Sequence, residues 1–243
     1  MSNPVFSRRA MEGNERILSG EPMTISGAIN KTFILFACLL LTSFYEFSLY
    51  LQGYTDKAAA LMMGGFVVSI IAFIMIMFAR KTIKIMAPIY ALSEGLILGG
   101  LSVMFEAQYP GIVIQAVGST FMSFFVMLAL YKAQIIKCTE KFRSVMMISM
   151  LSILGIYLVQ IIGSIFHMSI PGLFSSGLVG IGFSLFVCII ASLNFILDFQ
   201  VIEDGANQMA DKSFEWYGAF GLMVTFVWLY IEILNLLAKL RDR

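Results

Sequence analysis

The chain has 243 residues, of which 59% are hydrophobic and 13% are charged, and its net charge is +1. Ordinary soluble domains hold roughly 45–50% apolar and about 25% charged residues, so the composition excludes that class and indicates an integral membrane protein. The small net charge argues against nucleic acid as a partner. At ~20 residues per span, the length predicts an all-α protein with about seven membrane-crossing helices.

The predicted elements begin with a polar tail over residues 1–30, which precedes a membrane domain over residues 31–243. Apolar runs in that domain predict seven spans. In chain order, the predicted spans are 32–51, 58–79, 85–105, 111–131, 144–166, 173–201 and 214–238. Beyond Asp198, the sixth helix is expected to continue past the membrane as an amphipathic extension.

Small residues mark two predicted packing faces. One is the pair Gly95 and Gly99 in the third span, and the other is the run of serines and glycines that begins at Ser175 in the sixth. Small side chains at helical spacing let helix backbones approach closely, which is how helices associate in lipid.

The distribution of lysine and arginine predicts the orientation. Twelve of the sixteen basic residues fall on the side of the N-terminal tail, which places the N-terminus in the cytoplasm. Seven spans then put the C-terminus outside, although the terminal KLRDR run favours the cytoplasmic side. A re-entrant last segment is therefore left open.

Catalytic and metal-binding motifs are not evident in the sequence. It has no nucleophile elbow, phosphate-binding loop or HExxH motif, so we do not expect an enzyme or a tightly bound cofactor. The cysteines Cys38, Cys138 and Cys188 are far apart and form no CxxC pair, which argues against a zinc framework. His167 is predicted to lie in an outer loop as a surface residue.

Four acids fall within or at the edge of the spans, namely Glu46, Glu94, Asp198 and Glu232. The predicted spans hold no lysine or arginine. An unpaired excess of acid in a membrane suits a path for protons or cations, because carboxylates replace water around a cation and repel anions. Glu46 lies close enough to the end of its span to extend toward the headgroups.

Asp198 and Glu232 are the predicted centre of the site. Asn194 lies four residues before Asp198 and Asn235 three after Glu232, so each acid has an amide on its own helical face. We expect the two acids at a similar depth, where they would share one proton. The alternative is that both are protonated, hydrogen-bonded packing groups. Glu94 is expected either to line a pore or to join helices.

Several stretches resemble the Bax inhibitor family, also called the transmembrane Bax inhibitor motif family. They are NPVFSR and MTISGAINKT near the N-terminus, YALSEGLILGGLS in the third span, and the last two spans from NFILDFQ to LYIEILNLL. The likeness covers essentially the whole chain, and it is nearest to the bacterial YccA-like branch. The connection between the last two spans is longer here than in short-looped relatives.

The resemblance implies a seven-helix bundle with the last helix near its centre, and a pH-sensitive calcium leak gated by paired acids on the last two helices. LDFQ places one of those acids at Asp198, and LYIEILNLL places the other at Glu232, where the family often has aspartate. Both are therefore expected to contact calcium. Relatives also pair a basic residue near the end of the second helix with this site, and Arg80 is the match expected to act as a latch.

Two functional hypotheses follow. The first is a proton-gated calcium leak channel in the inner (plasma) membrane of a cell, with lipid, calcium and protons as its partners. The alternative is a non-channel regulator that binds and restrains an FtsH-type membrane protease, a role associated with YccA-like proteins. A secondary transporter is disfavoured because the spans show no duplicated halves.

Overall fold

The computed structural model describes residues 21–166 and 172–242, and in these ranges it contains seven long helices. They are α1 Ile25–Leu51, α2 Thr55–Phe78, α3 Ile83–Gln108, α4 Ile112–Lys132, α5 Glu140–Ile165, α6 Leu178–Asn207 and α7 Phe214–Arg241. Each is long and apolar enough to cross a membrane. The predicted all-helical bundle of seven spans is confirmed.

Local capping fixes several helix ends. Thr24 accepts a hydrogen bond from the amide of Gly27 at the start of α1, and Thr139 accepts one from Phe142 at the start of α5. Pro88 lies inside α3, and a short 3₁₀ turn at Arg80–Thr82 precedes that helix. The extension of the sixth helix beyond Asp198 is confirmed, since α6 continues to Asn207.

The two ends of the bundle are called the near side and the far side. The near side holds the start of α1 and the connections at 79–82, 133–139 and 208–213. The far side holds the connections at 52–54 and 109–111 and the end of α7. Since α7 is an unbroken helix of 28 residues, the last segment crosses the bundle. An unbroken helix of this length favours a full crossing over the re-entrant alternative.

The last helix lies near the centre, because α7 packs against α1, α3, α4 and α6. The third helix packs closely on α1 and α2. Gly95 lies against Thr42 and the Leu39 carbonyl of α1, and a side chain at this position would overlap them. The predicted packing face on the third span is thus confirmed at Gly95.

A near-side strap joins residues 21–24 to residues 210–215. The amide of Met23 donates to the carbonyl of Ala210 at 2.8 Å, and Pro22 forms an isolated antiparallel bridge with Asp211. The side chain of Met23 is buried in the hydrophobic core. The strap therefore fixes the entry of α1 against the connection between the last two helices.

Candidate functional site

The Asp198 site is formed by Asn194 and Asp198 of α6 with Thr225 of α7. The Thr225 hydroxyl donates to a carboxylate oxygen of Asp198 at 2.6 Å, and the Asn194 amide donates to the Thr225 hydroxyl oxygen at 2.8 Å. Asn194 and Thr225 are buried, whereas Asp198 is half-buried. Asn194 and Asp198 share one helix face because they are four residues apart.

Glycine shapes the α7 surface opposite Asp198. Gly221 lies one turn before Thr225, and a Cβ atom built there would lie 3.4 Å from the second carboxylate oxygen of Asp198. A longer side chain at this position would have to displace the carboxylate or turn away from it. The site therefore depends on a small residue as well as on its three polar groups.

The Glu232 site is separate and involves α5. The Tyr157 hydroxyl donates to a carboxylate oxygen of Glu232 at 2.6 Å, and the indole N–H of Trp228 donates to the same oxygen at 3.3 Å. The Glu232 residue is only 4% exposed. Sequence reasoning missed Tyr157, because a tyrosine in an apolar span carries no signal of which acid it will reach.

The expected acid pair is not formed. Asp198 binds Thr225, and Glu232 follows Thr225 by seven residues, which is about 10 Å along the helix axis. The two carboxylates accept from different donors, so they do not share a proton. Helix register is the physical reason: Asp198 lies nine residues from the near-side end of α6, but Glu232 lies eighteen from that of α7.

The other predicted site residues have different surroundings. Glu94 lies one turn after Tyr90 on α3, and its carboxyl interacts with the Tyr90 hydroxyl. The Tyr90 ring packs on Phe220 of α7 at 5.0 Å, which puts Glu94 at a depth similar to that of the Asp198 site. Asn235 is half-buried. Among the described residues, it forms no hydrogen bond with Glu232.

The predictions for Arg80 and Glu46 have different outcomes. The side chain of Arg80 lies outside the described part of the structure, so its role as a latch stays a prediction. The expectation that Glu46 reaches the headgroups is wrong, because its side chain is fully buried between helices. The sequence shows that an acid is near a helix end but not which way it faces.

Calcium coordination by both acids is not supported by this geometry. Calcium binds six to eight oxygens at about 2.3–2.6 Å, and carboxylates two helical turns apart do not meet one ion. Among the described residues, no group of three or more histidine, cysteine or acidic side chains is placed to hold a metal. His167 lies outside the described residues.

A crevice lies between α4, α6 and α7, and its α7 lining residues come just before and just after Glu232 in the sequence. Its volume is about 280 Å³. It is lined by Ser123, Met127, Cys188, Ile189, Ser192, Leu193, Leu229 and Ile233. Two hydroxyl groups and one thiol thus border a mainly apolar space, and its lining includes neither Asp198 nor Glu232.

Comparison with known proteins relates the chain to a protein family. A family model described as Bax inhibitor 1 like matches residues 3–242, which is nearly the whole chain. No curated protein matches the chain. The match includes all seven helices and both acid sites.

Proposed function

The chain belongs to the Bax inhibitor family, and from that premise we propose that it provides a proton-sensitive leak path for cations, calcium among them, across its membrane. Asp198 and Glu232 are the groups that would contact the ion. They act as two successive sites, not as one pair with a shared proton.

The observation that carries the proposal is that neither Asp198 nor Glu232 has an ion-pair partner among the described residues, although the charge of Lys239 acts on Glu232 from beyond contact distance. Thr225 supplies the donor to Asp198, and Tyr157 and Trp228 supply the donors to Glu232. Among the described side chains, no lysine or arginine lies within 4.0 Å of either carboxylate. Intramembrane acids without a basic partner attract cations and protons, and either can neutralise them.

The separation of the acids suits a path with several weak sites. Conduction requires binding that is favourable enough for entry and weak enough for exit. Two single carboxylates on neighbouring helices, offset by about 10 Å along the axis of α7, meet this condition better than one strong joint site. The crevice between α4, α6 and α7 supplies space near the level of Glu232, and Ser123 and Ser192 supply oxygen atoms along it.

Flux measurements test the proposal. Purified protein in liposomes loaded with a calcium-sensitive dye should pass calcium at a rate that depends on pH. We expect Asp198→Asn to remove most of that pH dependence and Glu232→Gln to reduce it. Glu140→Gln is the matched control, because the Glu140 side chain is 89% exposed at the start of α5. Unchanged flux in both site variants would exclude these acids from the path.

The alternative function, in which the polar N-terminal tail binds and restrains an FtsH-type protease, stays a prediction, because residues 1–20 of that tail lie outside the described part. Deletion of residues 1–20 separates the two functions. Loss of protease restraint with intact calcium flux would support a tail-dependent regulatory role beside the leak. Loss of flux with intact restraint would contradict both assignments.

A further inference from the structure

Among the described residues, Glu46 is the one whose buried side-chain oxygens have no hydrogen-bond partner. The residue is 0% exposed. Glu46 is not part of the Asp198 or Glu232 site. We propose that Glu46 is an intramembrane proton-binding site, which holds one proton at neutral pH and keeps α1 packed against α3.

Close packing of α1 on α3 encloses this group. A Cβ atom built on Gly99 would lie 2.7 Å from the Cβ of Glu46 and 2.6 Å from the carbonyl oxygen of Ser43. A side chain at position 99 would therefore have to move α1. The glycine brings the two backbones together, and the Glu46 side chain is enclosed in the contact.

Energetics favour the neutral acid in this environment. An ionised carboxylate without a partner in low dielectric loses its hydration and gains no compensating charge or hydrogen bond. A neutral carboxyl loses much less on the same transfer. The proton is therefore part of the closed α1–α3 contact, and ionisation of Glu46 requires the contact to open to water.

Charged groups on the neighbouring helices do not change this conclusion. On α2, Asp56 and Lys57 lie in the exposed first turn. On α3, Glu106 accepts from the backbone amides of Gly111 and Val113. No charged side chain of the described residues forms a hydrogen bond or ion pair with the Glu46 carboxyl.

The remaining neighbours of α1 are α6 and α7. In the far-side half of these helices, the titratable groups engage other partners. Tyr230 pairs with Ser102 at 2.7 Å, Lys239 donates to Ser184 at 2.8 Å, and Glu232 accepts from Tyr157 at 2.6 Å. The Cys188 thiol lines the crevice between α4, α6 and α7.

Infrared difference spectroscopy of the full chain in lipid nanodiscs tests the proposal. The spectrum of the wild type minus that of Glu46→Gln at neutral pH should show the C=O stretch of one carboxylic acid and no carboxylate bands. Glu21→Gln is the control outside the bundle, and its difference spectrum should show carboxylate bands, because Lys212 holds the pKa of Glu21 below its usual range. Carboxylate bands in the Glu46 spectrum would overturn the proposal.

A second variant keeps the test decisive if Glu46→Gln does not fold. Glu46→Asp retains the acid on a shorter side chain, so the carboxylic acid band should shift in frequency and keep its area. Loss of area with a gain in carboxylate would contradict the proposal. Because the readout is a vibration of one side chain and not ion flux, failure of the leak proposal would leave this result unaffected.

Discussion

At the scale of single residues, Thr225 links the two polar groups of α6, because its hydroxyl donates to Asp198 and accepts from Asn194. Thr225→Val keeps the shape but removes both hydrogen bonds, and it leaves buried Asn194 unsatisfied. We expect the free energy of unfolding to fall by about 1–3 kcal/mol. Chemical unfolding in detergent measures this. Thr225→Ser keeps the hydroxyl and is the control; equal losses in both variants would show that packing, not hydrogen bonding, matters here.

The separation of Asp198 and Glu232 predicts additive behaviour. Sites farther apart than about 7–10 Å without shared partners usually add within about 0.5 kcal/mol. The free energies of unfolding of Asp198→Asn, Glu232→Gln and the double variant should therefore show little coupling. Two carboxylates that share one proton would instead show a coupling energy well above that limit. This result would support the predicted Asp198–Glu232 pair and contradict two separate sites.

Residue types were easier to predict than residue partners. The sequence identifies Asp198 and Glu232 as acids in apolar helices and places Asn194 on the same face as Asp198. It does not supply Thr225 or Tyr157 as partners, because the register and rotation of neighbouring helices decide which side chains meet. Glu46 shows the same limit, since its burial depends on the approach of α1 to Gly99.

At the scale of helices, a buried ion pair joins the start of α1 to the start of α7. Lys31 bonds to Glu215, which also accepts from the amide of Thr24 at 2.8 Å, and Glu215 is only 1% exposed. Lys31→Met would leave that carboxylate buried without its cation. The expected loss is about 3–5 kcal/mol in the free energy of unfolding, because an uncompensated buried charge remains. Thermal or chemical unfolding of the purified protein measures it.

Lys212→Met is the matched control for that variant. It breaks the pair between Lys212 and Glu21, which joins the same two segments but is exposed. Lys212 holds the pKa of Glu21 below its usual range by hydrogen bonding and charge. The contact therefore persists at neutral pH and is lost as pH falls through the lowered folded pKa of Glu21. Exposed pairs contribute little, so equal effects of the two variants would contradict the argument from burial.

Helix existence was predictable, whereas helix ends were less so. The first span was predicted from residue 32, but α1 begins at Ile25, because Thr24 caps it and Glu215 neutralises Lys31. The sequence marks Lys31 as a charge to be kept out of the span. Its partner is nearly two hundred residues away, so local hydropathy gives no sign that the charge is compensated.

At the scale of the whole molecule, the described chain starts on one side of the bundle and its last helix ends on the other. The near-side strap fixes the start of α1 beside the start of α7, and α7 then crosses to the far side. Two of the terminal basic residues that argued against this topology in the sequence have local partners there. Lys239 donates to Ser184 at 2.8 Å, and Arg241 donates to the Pro110 carbonyl at 2.8 Å. These hydrogen bonds give the Lys239 and Arg241 side chains acceptors on the far side.

Cysteine labelling from one face of the membrane tests this topology. In a background without Cys38, Cys138 and Cys188, a membrane-impermeant maleimide should label Leu240→Cys from the same face as Tyr54→Cys in the far-side connection. Lys81→Cys should react from the opposite face, since it lies in the near-side connection between α2 and α3. The excess of lysine and arginine predicts that this near side is cytoplasmic. Labelling of positions 240 and 81 from one face would mean that α7 does not cross the membrane. The order of the two acid sites along the proposed path would then be lost, because that order depends on α7 running from the near side to the far side.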